Sequence, residues 1–114
     1  MTTVVSLKDY QDWTINTAVY PAAGTGSVEE LMYIALGLGG EAGELGNYVK
    51  KLYRDGDNAE LREKIGKELG DVMWYAARMA SALGVNLEAT ISENRAKLES
   101  RKERGVIAGS GDDR

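Results

Sequence analysis

Cysteine and histidine are both absent from this chain of 114 residues. Without cysteine there can be no disulfide framework, thiol nucleophile or iron–sulfur cluster. Without histidine there is no imidazole base and no histidine-bound zinc. Any metal chemistry in this chain must therefore use oxygen ligands.

Proline, long apolar runs and excess positive charge are also lacking. Pro21 is the only proline, and no uninterrupted apolar stretch approaches the roughly 18 residues of a membrane span. The start, MTTVVSLKDY, has no basic stretch followed by an apolar run, so we expect a cytoplasmic protein without a membrane partner. Lys and Arg number 14 against 18 Asp and Glu, a net charge of -4 that argues against binding a nucleic acid polymer.

The composition that remains is that of one small globular domain. Hydrophobic residues make up 43% and charged residues 28% of the chain, too apolar for a disordered protein. We expect a single domain over residues 1–104. The last ten residues, GVIAGSGDDR, are predicted to form a flexible tail over 105–114.

Apolar residues recur at three- and four-residue steps, which predicts an all-α chain. Four helices follow from the cap and stop signals, and the second and third, separated by a short loop, should form an antiparallel central hairpin of a four-helix bundle-like fold. In the fourth helix, from Leu87 to Arg104, we expect Ile91 and Leu98 to face inward. The predicted cap and stop residues are Ser6, Pro21, Ser27 with Glu30 as a capping box, Gly56, Asn58, Gly84 and Asn86.

Two pairs of carboxylates, each three residues apart, lie on the two helices of the hairpin. The pairs are Glu41 with Glu44 and Glu68 with Asp71, and a three-residue step places both members on one helix face. Apolar neighbours suggest partly inward faces, where unpaired carboxylates repel and a divalent cation would relieve the repulsion. Oxygen donors alone match Mg²⁺ or Mn²⁺. The alternative is a solvated acidic surface, and spacing does not choose between the two.

The segments GEAGELGNYVKK and KELGDVMWYAARMASALGVNLEATISENRAKLESR resemble the MazG-like family of all-α nucleoside triphosphate pyrophosphohydrolases. The family pattern is Glu-Glu-x-x-Glu followed by Glu-x-x-Asp. The four carboxylates named above match its last two glutamates and its second pair, whereas Gly40 stands where the pattern has its first glutamate. The resemblance implies a metal-dependent enzyme that cleaves a nucleoside triphosphate between its α and β phosphates, releasing a monophosphate and pyrophosphate.

The resemblance also implies roles for individual residues. Glu41, Glu44, Glu68 and Asp71 would hold Mg²⁺, with Mn²⁺ as a substitute, and Glu41 or Glu44 would act on the attacking water. An asparagine and basic residues on the last helix would contact the triphosphate. The matching positions here are Asn94, Lys97 and Arg101, whose alternative interpretation is an ordinary solvated face.

Two further residues are candidate substrate contacts. Lys51 is a candidate for phosphate and Trp13 for the nucleobase, although an i,i+4 ion pair and a core aromatic are the respective alternatives. We also expect a homodimer or homotetramer, because so thin a bundle leaves apolar surface. The function expected is control of a nucleotide pool or removal of unwanted nucleotides. The competing hypotheses are a noncatalytic helical sensor of nucleotide or metal and a purely structural oligomerising bundle.

Overall fold

The structure, a computed structural model, describes Thr3 and residues 6–114. Its regular elements are all helical, and the described residues contain no strand. The prediction of an all-α chain with four α-helices is confirmed. The elements are α1 (Leu7–Trp13), a 3₁₀ helix (Thr14–Thr17), α2 (Val28–Asp55), α3 (Ala59–Leu83) and α4 (Leu87–Glu103).

All four α-helices begin where the cap signals predict, and α2 and α3 also end there. At each N-terminus a side-chain oxygen accepts a hydrogen bond from an amide of the first turn, as in the 2.8 Å bond from the Leu61 amide to Asn58 Oδ1. Gly84 ends α3 with φ +72, a left-handed conformation that glycine adopts without strain. The four N-caps are Ser6 for α1, Ser27 for α2, Asn58 for α3 and Asn86 for α4.

The first helix ends well before Pro21, its predicted stop residue. Its α-helical part ends at Trp13, and Ile15 lies in the 3₁₀ helix with about half of its surface exposed. The hydroxyl of Thr14 donates to the carbonyl of Gln11 at 2.7 Å, and that of Thr17 donates to the carbonyl of Thr14 at 3.1 Å. These bonds from side chains to carbonyls three residues earlier compete with the α-helical pattern and suit the tighter 3₁₀ turn.

The predicted capping box at the start of α2 forms only in part. The Glu30 amide donates to Ser27 Oγ at 3.2 Å, as a capping box requires. The Glu30 carboxylate, however, accepts hydrogen bonds from the amides of Gly24 and Gly26, both at 2.8 Å, and not from the Ser27 amide. The connector AAGTG, residues 22–26, is thereby tied to a buried carboxylate.

The hairpin of α2 and α3 is the main packing unit. Residues 56–58 join the two helices, which pack along each other. Tyr75 on α3 lies so close to the backbone of α2 that a Cβ at Gly37 would overlap its ring. This contact fixes the register of the hairpin. In that register Glu41 and Asp71, each four residues nearer the loop, also face each other.

The first and last helices pack near the end of α3. Ala77, Ala80 and Leu87 form a small buried core. Among the described elements α4 contacts α1 and α3 but not α2, so the bundle is open. The prediction that Ile91 and Leu98 face inward is wrong for the single chain, where they are 41% and 42% exposed.

The open arrangement gives the chain a large radius. Its radius of gyration is 16.8 Å, compared with roughly 13 Å expected of a compact domain of this length. Every helix in the described part of the chain falls short of the length and hydropathy that a membrane span requires.

Candidate functional site

Three carboxylates converge in the middle of the hairpin. Glu41 comes from α2, and Glu68 and Asp71 come from one face of α3. One oxygen from each carboxylate lies within 4.8 Å of the others. We call these three residues the acidic cluster. Three like charges at this separation repel one another unless a proton or a cation joins them.

Glu68 is the member of the acidic cluster that is most perturbed. Its Oε2 atom is buried and has no hydrogen-bond partner. The pKa of Glu68 is raised to about 7, because the protonated form can share its proton with Glu41, because burial removes hydration, and because the charges of Glu41 and Asp71 oppose ionisation. The site therefore holds more negative charge than its own residues neutralise.

The nearest lysines on α3 do not neutralise this negative charge, because each is paired with another glutamate. Lys64 pairs with Glu60 at 3.3 Å and Lys67 pairs with Glu63 at 3.6 Å, one turn earlier on the same helix. These are exposed i,i+4 pairs of the kind that contributes little to stability. The unpartnered buried oxygen and the all-carboxylate donor set fit a hard divalent cation, since such ions prefer oxygen ligands of negative charge.

Glu44, the fourth predicted ligand, is placed differently. It is exposed and lies outside the acidic cluster, one turn beyond Glu41 on α2. Gly40, which stands where the resembling family has a glutamate, has no atom within 4 Å of the position that a Cβ would take. The departure at Gly40 is therefore not imposed by packing within the chain.

The predicted triphosphate contacts lie together on α4. Asn94 is exposed, Lys97 is half-buried and Arg101 is only 4% exposed. Asn94 and Lys97 help to line an open groove of about 340 Å³, which we call the α4 groove. The remaining residues that line it are Thr90, Glu93 and Asp112. No hydrogen bond or ion pair among the described residues joins these side chains to the acidic cluster.

The C-terminal segment lies against the α4 groove. Asp112 Oδ1 is 2.8 Å from Lys97 Nζ and 3.3 Å from Arg101 Nη2. The hydrogen bond from Lys97, followed by that from Arg101, holds the pKa of Asp112 below its ordinary value. The mobility predicted for residues 105–114 stays a prediction.

Trp13 and Lys51, the other predicted substrate contacts, lie on different parts of the chain. Trp13 is 46% exposed and stacks on Tyr10, with ring centroids 6.0 Å apart. Burial and, after it, the charge of Asp71 raise the pKa of Tyr10, and α1 packs against α3. Lys51 instead lies over the ring of Tyr48 at 5.5 Å, and ten residues along α2 place it about 15 Å from Glu41.

A second charged group, which the sequence analysis missed, is fully buried. Glu30 and Arg78 are 0% and 2% exposed and lie 3.4 Å apart. Tyr20 donates to Glu30 at 2.6 Å and accepts from Arg78 at 3.1 Å, and Arg78 also donates to Thr14. An arginine inside the apolar run from Val72 to Met79 was the signal that could have revealed this network, because buried charges need partners.

The environment of Glu30 lowers its pKa. Burial alone would raise the pKa, but hydrogen bonds from Tyr20, Gly24 and Gly26 and the charge of Arg78 outweigh burial and bring it to about 2. Every oxygen of this carboxylate has partners. The network therefore joins α2, α3 and the 3₁₀ helix as part of the fold.

Comparison with known proteins gives two matches. A family model described as the MazG nucleotide pyrophosphohydrolase domain matches residues 29–106, which include the acidic cluster, Glu44 and the predicted contacts on α4. The chain is also 51% identical over 109 residues to the "Gene 37 protein" of Mycobacterium phage L5, covering 92% of this chain and 96% of that protein. No solved structure matches the chain.

Proposed function

The chain belongs to the MazG family of nucleotide pyrophosphohydrolases, and on that premise we propose that it hydrolyses a nucleoside triphosphate between the α and β phosphates. The products are a nucleoside monophosphate and pyrophosphate, and the role is control of a nucleotide pool or removal of unwanted nucleotides. The observation that carries the proposal is the acidic cluster with its buried, unpartnered carboxylate oxygen on Glu68.

The acidic cluster is the proposed metal site. Glu41, Glu68 and Asp71 would hold Mg²⁺ directly, with Mn²⁺ as a substitute, and Glu44 would reach the ion through the water on which it acts. When bound, the ion supplies positive charge to the phosphate oxygens and lowers the pKa of a coordinated water. Support comes from the three carboxylate oxygens that lie within 4.8 Å of one another, and the pKa of Glu68 is raised by its hydrogen bond with Glu41, by burial and by the charges of Glu41 and Asp71.

Glu41 and Glu44 are the two candidates for the residue that acts on the attacking water. Glu41 lies within the acidic cluster, whereas Glu44 is exposed one turn away. A carboxylate outside the cluster is free to orient the attacking water and accept its proton as the bridging P–O bond breaks. We therefore assign proton acceptance to Glu44 and ligation to Glu41.

The triphosphate is proposed to contact Asn94 and Lys97 in the α4 groove and Arg101, one turn beyond Lys97 on the same helix. Lysine and arginine bind phosphate oxygens through charge-assisted hydrogen bonds, and asparagine adds a neutral donor. Trp13 and Lys51 are proposed as outer contacts, with the base and a phosphate respectively. Trp13 is exposed on α1, which packs against α3, and Lys51 carries its charge on α2.

A second copy of the chain is proposed to complete the site. In one chain α4 does not contact α2, so the helix that carries the α4 groove does not touch the helix that carries Glu41. Val28, Met32 and Leu36 on α2 are 71%, 61% and 75% exposed, at spacings that place them on one face. An apolar face of this kind is typical of an interface, and we propose a homodimer or homotetramer.

Product analysis tests the proposed reaction. The protein is incubated with each canonical ribo- and deoxyribonucleoside triphosphate and Mg²⁺ or Mn²⁺, and products are separated by ion-exchange chromatography. We expect monophosphate and pyrophosphate in equal amounts from one or a few substrates. Glu41→Gln should lose the activity, and Glu29→Gln, an exposed change on the same helix, should keep it.

Other product patterns would contradict the proposal. Diphosphate and inorganic phosphate would place cleavage at a different bond. Absence of turnover with every substrate, accompanied by nucleotide binding, would favour the noncatalytic sensor.

A further inference from the structure

The C-terminal segment, residues 105–114, folds back along the last helix of the chain. Arg114 donates from Nε to the carbonyl of Val106 at 3.1 Å and from Nη2 to that of Ile107 at 3.0 Å. Arg104 donates to the carbonyl oxygen of Arg114 at 2.8 Å. These polar contacts close residues 105–114 into a loop that presents Asp112 to α4.

Asp112 makes the contacts that a phosphate group would make. Its carboxylate is 2.8 Å from the Lys97 ammonium and 3.3 Å from the Arg101 guanidinium, and its backbone carbonyl accepts a second bond from Arg101. A carboxylate and a phosphate oxygen are both anionic acceptors for these donors. Asp112 therefore occupies the position at which an anionic ligand would meet the two cations.

The fit of Asp112 to these cations is incomplete. Arg101 is 96% buried, since only 4% of its surface is exposed, and its Nε atom has no hydrogen-bond partner. A guanidinium has five N–H donors, and a phosphate chain offers more acceptor oxygens than one aspartate. The unused buried donor points to a ligand richer in oxygen than Asp112.

The C-terminal segment can also detach from α4 with a small cost in free energy. The Asp112 side chain is 81% exposed, so little apolar surface is uncovered when it moves away. Gly105, Gly109 and Gly111 have φ values of +72, +135 and +87, which make the chain there conformationally permissive. Segments with few buried contacts open with small free energies.

We propose that Asp112 is a built-in competitor of the substrate phosphates, closing over Lys97 and Arg101 and leaving when a triphosphate binds. This rests on the proposed function, because it takes these two cations as phosphate contacts. A competitor that covers the site part of the time lowers the apparent affinity in proportion to the covered fraction. The device therefore raises KM without changing kcat.

Neutralising the competitor tests the proposal. Asp112→Asn keeps the shape of the side chain and removes its charge, so we expect KM to fall roughly three- to tenfold with kcat unchanged. Asp113→Asn is the matched control, because it makes the same change of charge one residue away, at an exposed side chain. The dissociation constant of inorganic tripolyphosphate, measured by calorimetry, should fall in parallel for Asp112→Asn alone.

Several outcomes would overturn the proposal. A higher KM for Asp112→Asn would mean that Asp112 positions the cations for binding, and an unchanged KM would mean that it does not compete. An equal effect of Asp113→Asn would mean that the change in net charge alone explains the result and that Asp112 is not a specific competitor. If no nucleotide is hydrolysed but tripolyphosphate still binds more tightly to Asp112→Asn, the proposed reaction fails and the competitor stands. If turnover is normal and neither constant moves, the competitor fails and the reaction stands.

Discussion

Glu30 and Glu68 lie in the same helical hairpin, yet they meet opposite electrostatic surroundings. Glu30, on α2, receives hydrogen bonds from a tyrosine hydroxyl and two backbone amides and faces the Arg78 guanidinium. Glu68, on α3, faces the carboxylates of Glu41 and Asp71 and has a buried oxygen without a partner. The pKa of Glu30 is lowered to about 2 and that of Glu68 is raised to about 7.

The difference separates a carboxylate that supports the fold from one that is suited to bind a ligand. A buried charge with all its partners holds elements together, and removing it leaves those partners unsatisfied. A group of like charges without partners costs stability until a cation arrives. The two glutamates should therefore respond in opposite ways to the same substitution.

The largest expected effect is on turnover at the acidic cluster. Glu68→Gln removes a proposed metal ligand, so we expect a loss of activity of about 1000-fold, equivalent to about 4 kcal/mol in transition-state free energy. The free energy of unfolding without added metal should be unchanged or higher, because a repelling charge is gone. Initial rates of pyrophosphate release and urea unfolding at pH 7.5 provide the measurements.

A matched control variant distinguishes loss of a metal ligand from loss of any glutamate on α3. Glu63→Gln changes an exposed glutamate on the same helix and should keep normal turnover. Added Mn²⁺ should raise the thermal midpoint of this control and of the unsubstituted protein, because a ligand that binds the folded state stabilises it. Turnover by Glu68→Gln within tenfold of normal would remove Glu68 from the proposed site.

The second expected effect is on stability at the buried network. Glu30→Gln leaves the Arg78 charge buried without its counter-ion, so we expect a loss of about 3 kcal/mol in the free energy of unfolding. Glu29→Gln, one residue earlier and exposed, should change it by less than about 0.5 kcal/mol. Urea unfolding followed by far-ultraviolet circular dichroism measures both.

Activity distinguishes this case from the acidic cluster. Glu30→Gln should retain most of its turnover at low temperature, where the variant remains folded. A Glu30→Gln protein as stable as the unsubstituted chain would contradict the structural role of the network. A stable variant without activity would instead place Glu30 in the functional site.

Local signals in the sequence were sufficient to predict where the helices start and which carboxylates share a helix face. Ser27 and Asn58 specify helix starts through hydrogen bonds within the first turn, so their effect is readable within four residues. The three-residue step between Glu68 and Asp71 likewise predicts that they share a face. Such interactions need only the neighbouring sequence.

Contacts between residues far apart in the chain could not be predicted from the sequence. Glu30 and Arg78 are separated by 48 residues, and their pairing depends on the hairpin register and on how the connector folds over α2. Asp112 reaches Lys97 only because the last residues turn back through left-handed glycines. The opening between α2 and α4 depends in the same way on packing, and not on the periodicity of either helix.

The last expected effect, which is the smallest when it is compared over one pH unit, is a pH dependence that belongs to Glu30. Its pKa is about 2 in the folded protein and near 4.5 when unperturbed. A lowered pKa contributes stability that is complete above about 4.5 and is lost progressively as the pH falls toward 2, with a slope of at most about 1.4 kcal/mol per pH unit. In Glu30→Gln this contribution is absent, so the difference in unfolding free energy between the two proteins should shrink between pH 5 and pH 2. Urea unfolding at half-unit steps of pH measures the difference, with Glu29→Gln following the unsubstituted protein throughout. A difference that stays constant down to pH 2 would mean that the carboxylate charge of Glu30 is not what stabilises the network.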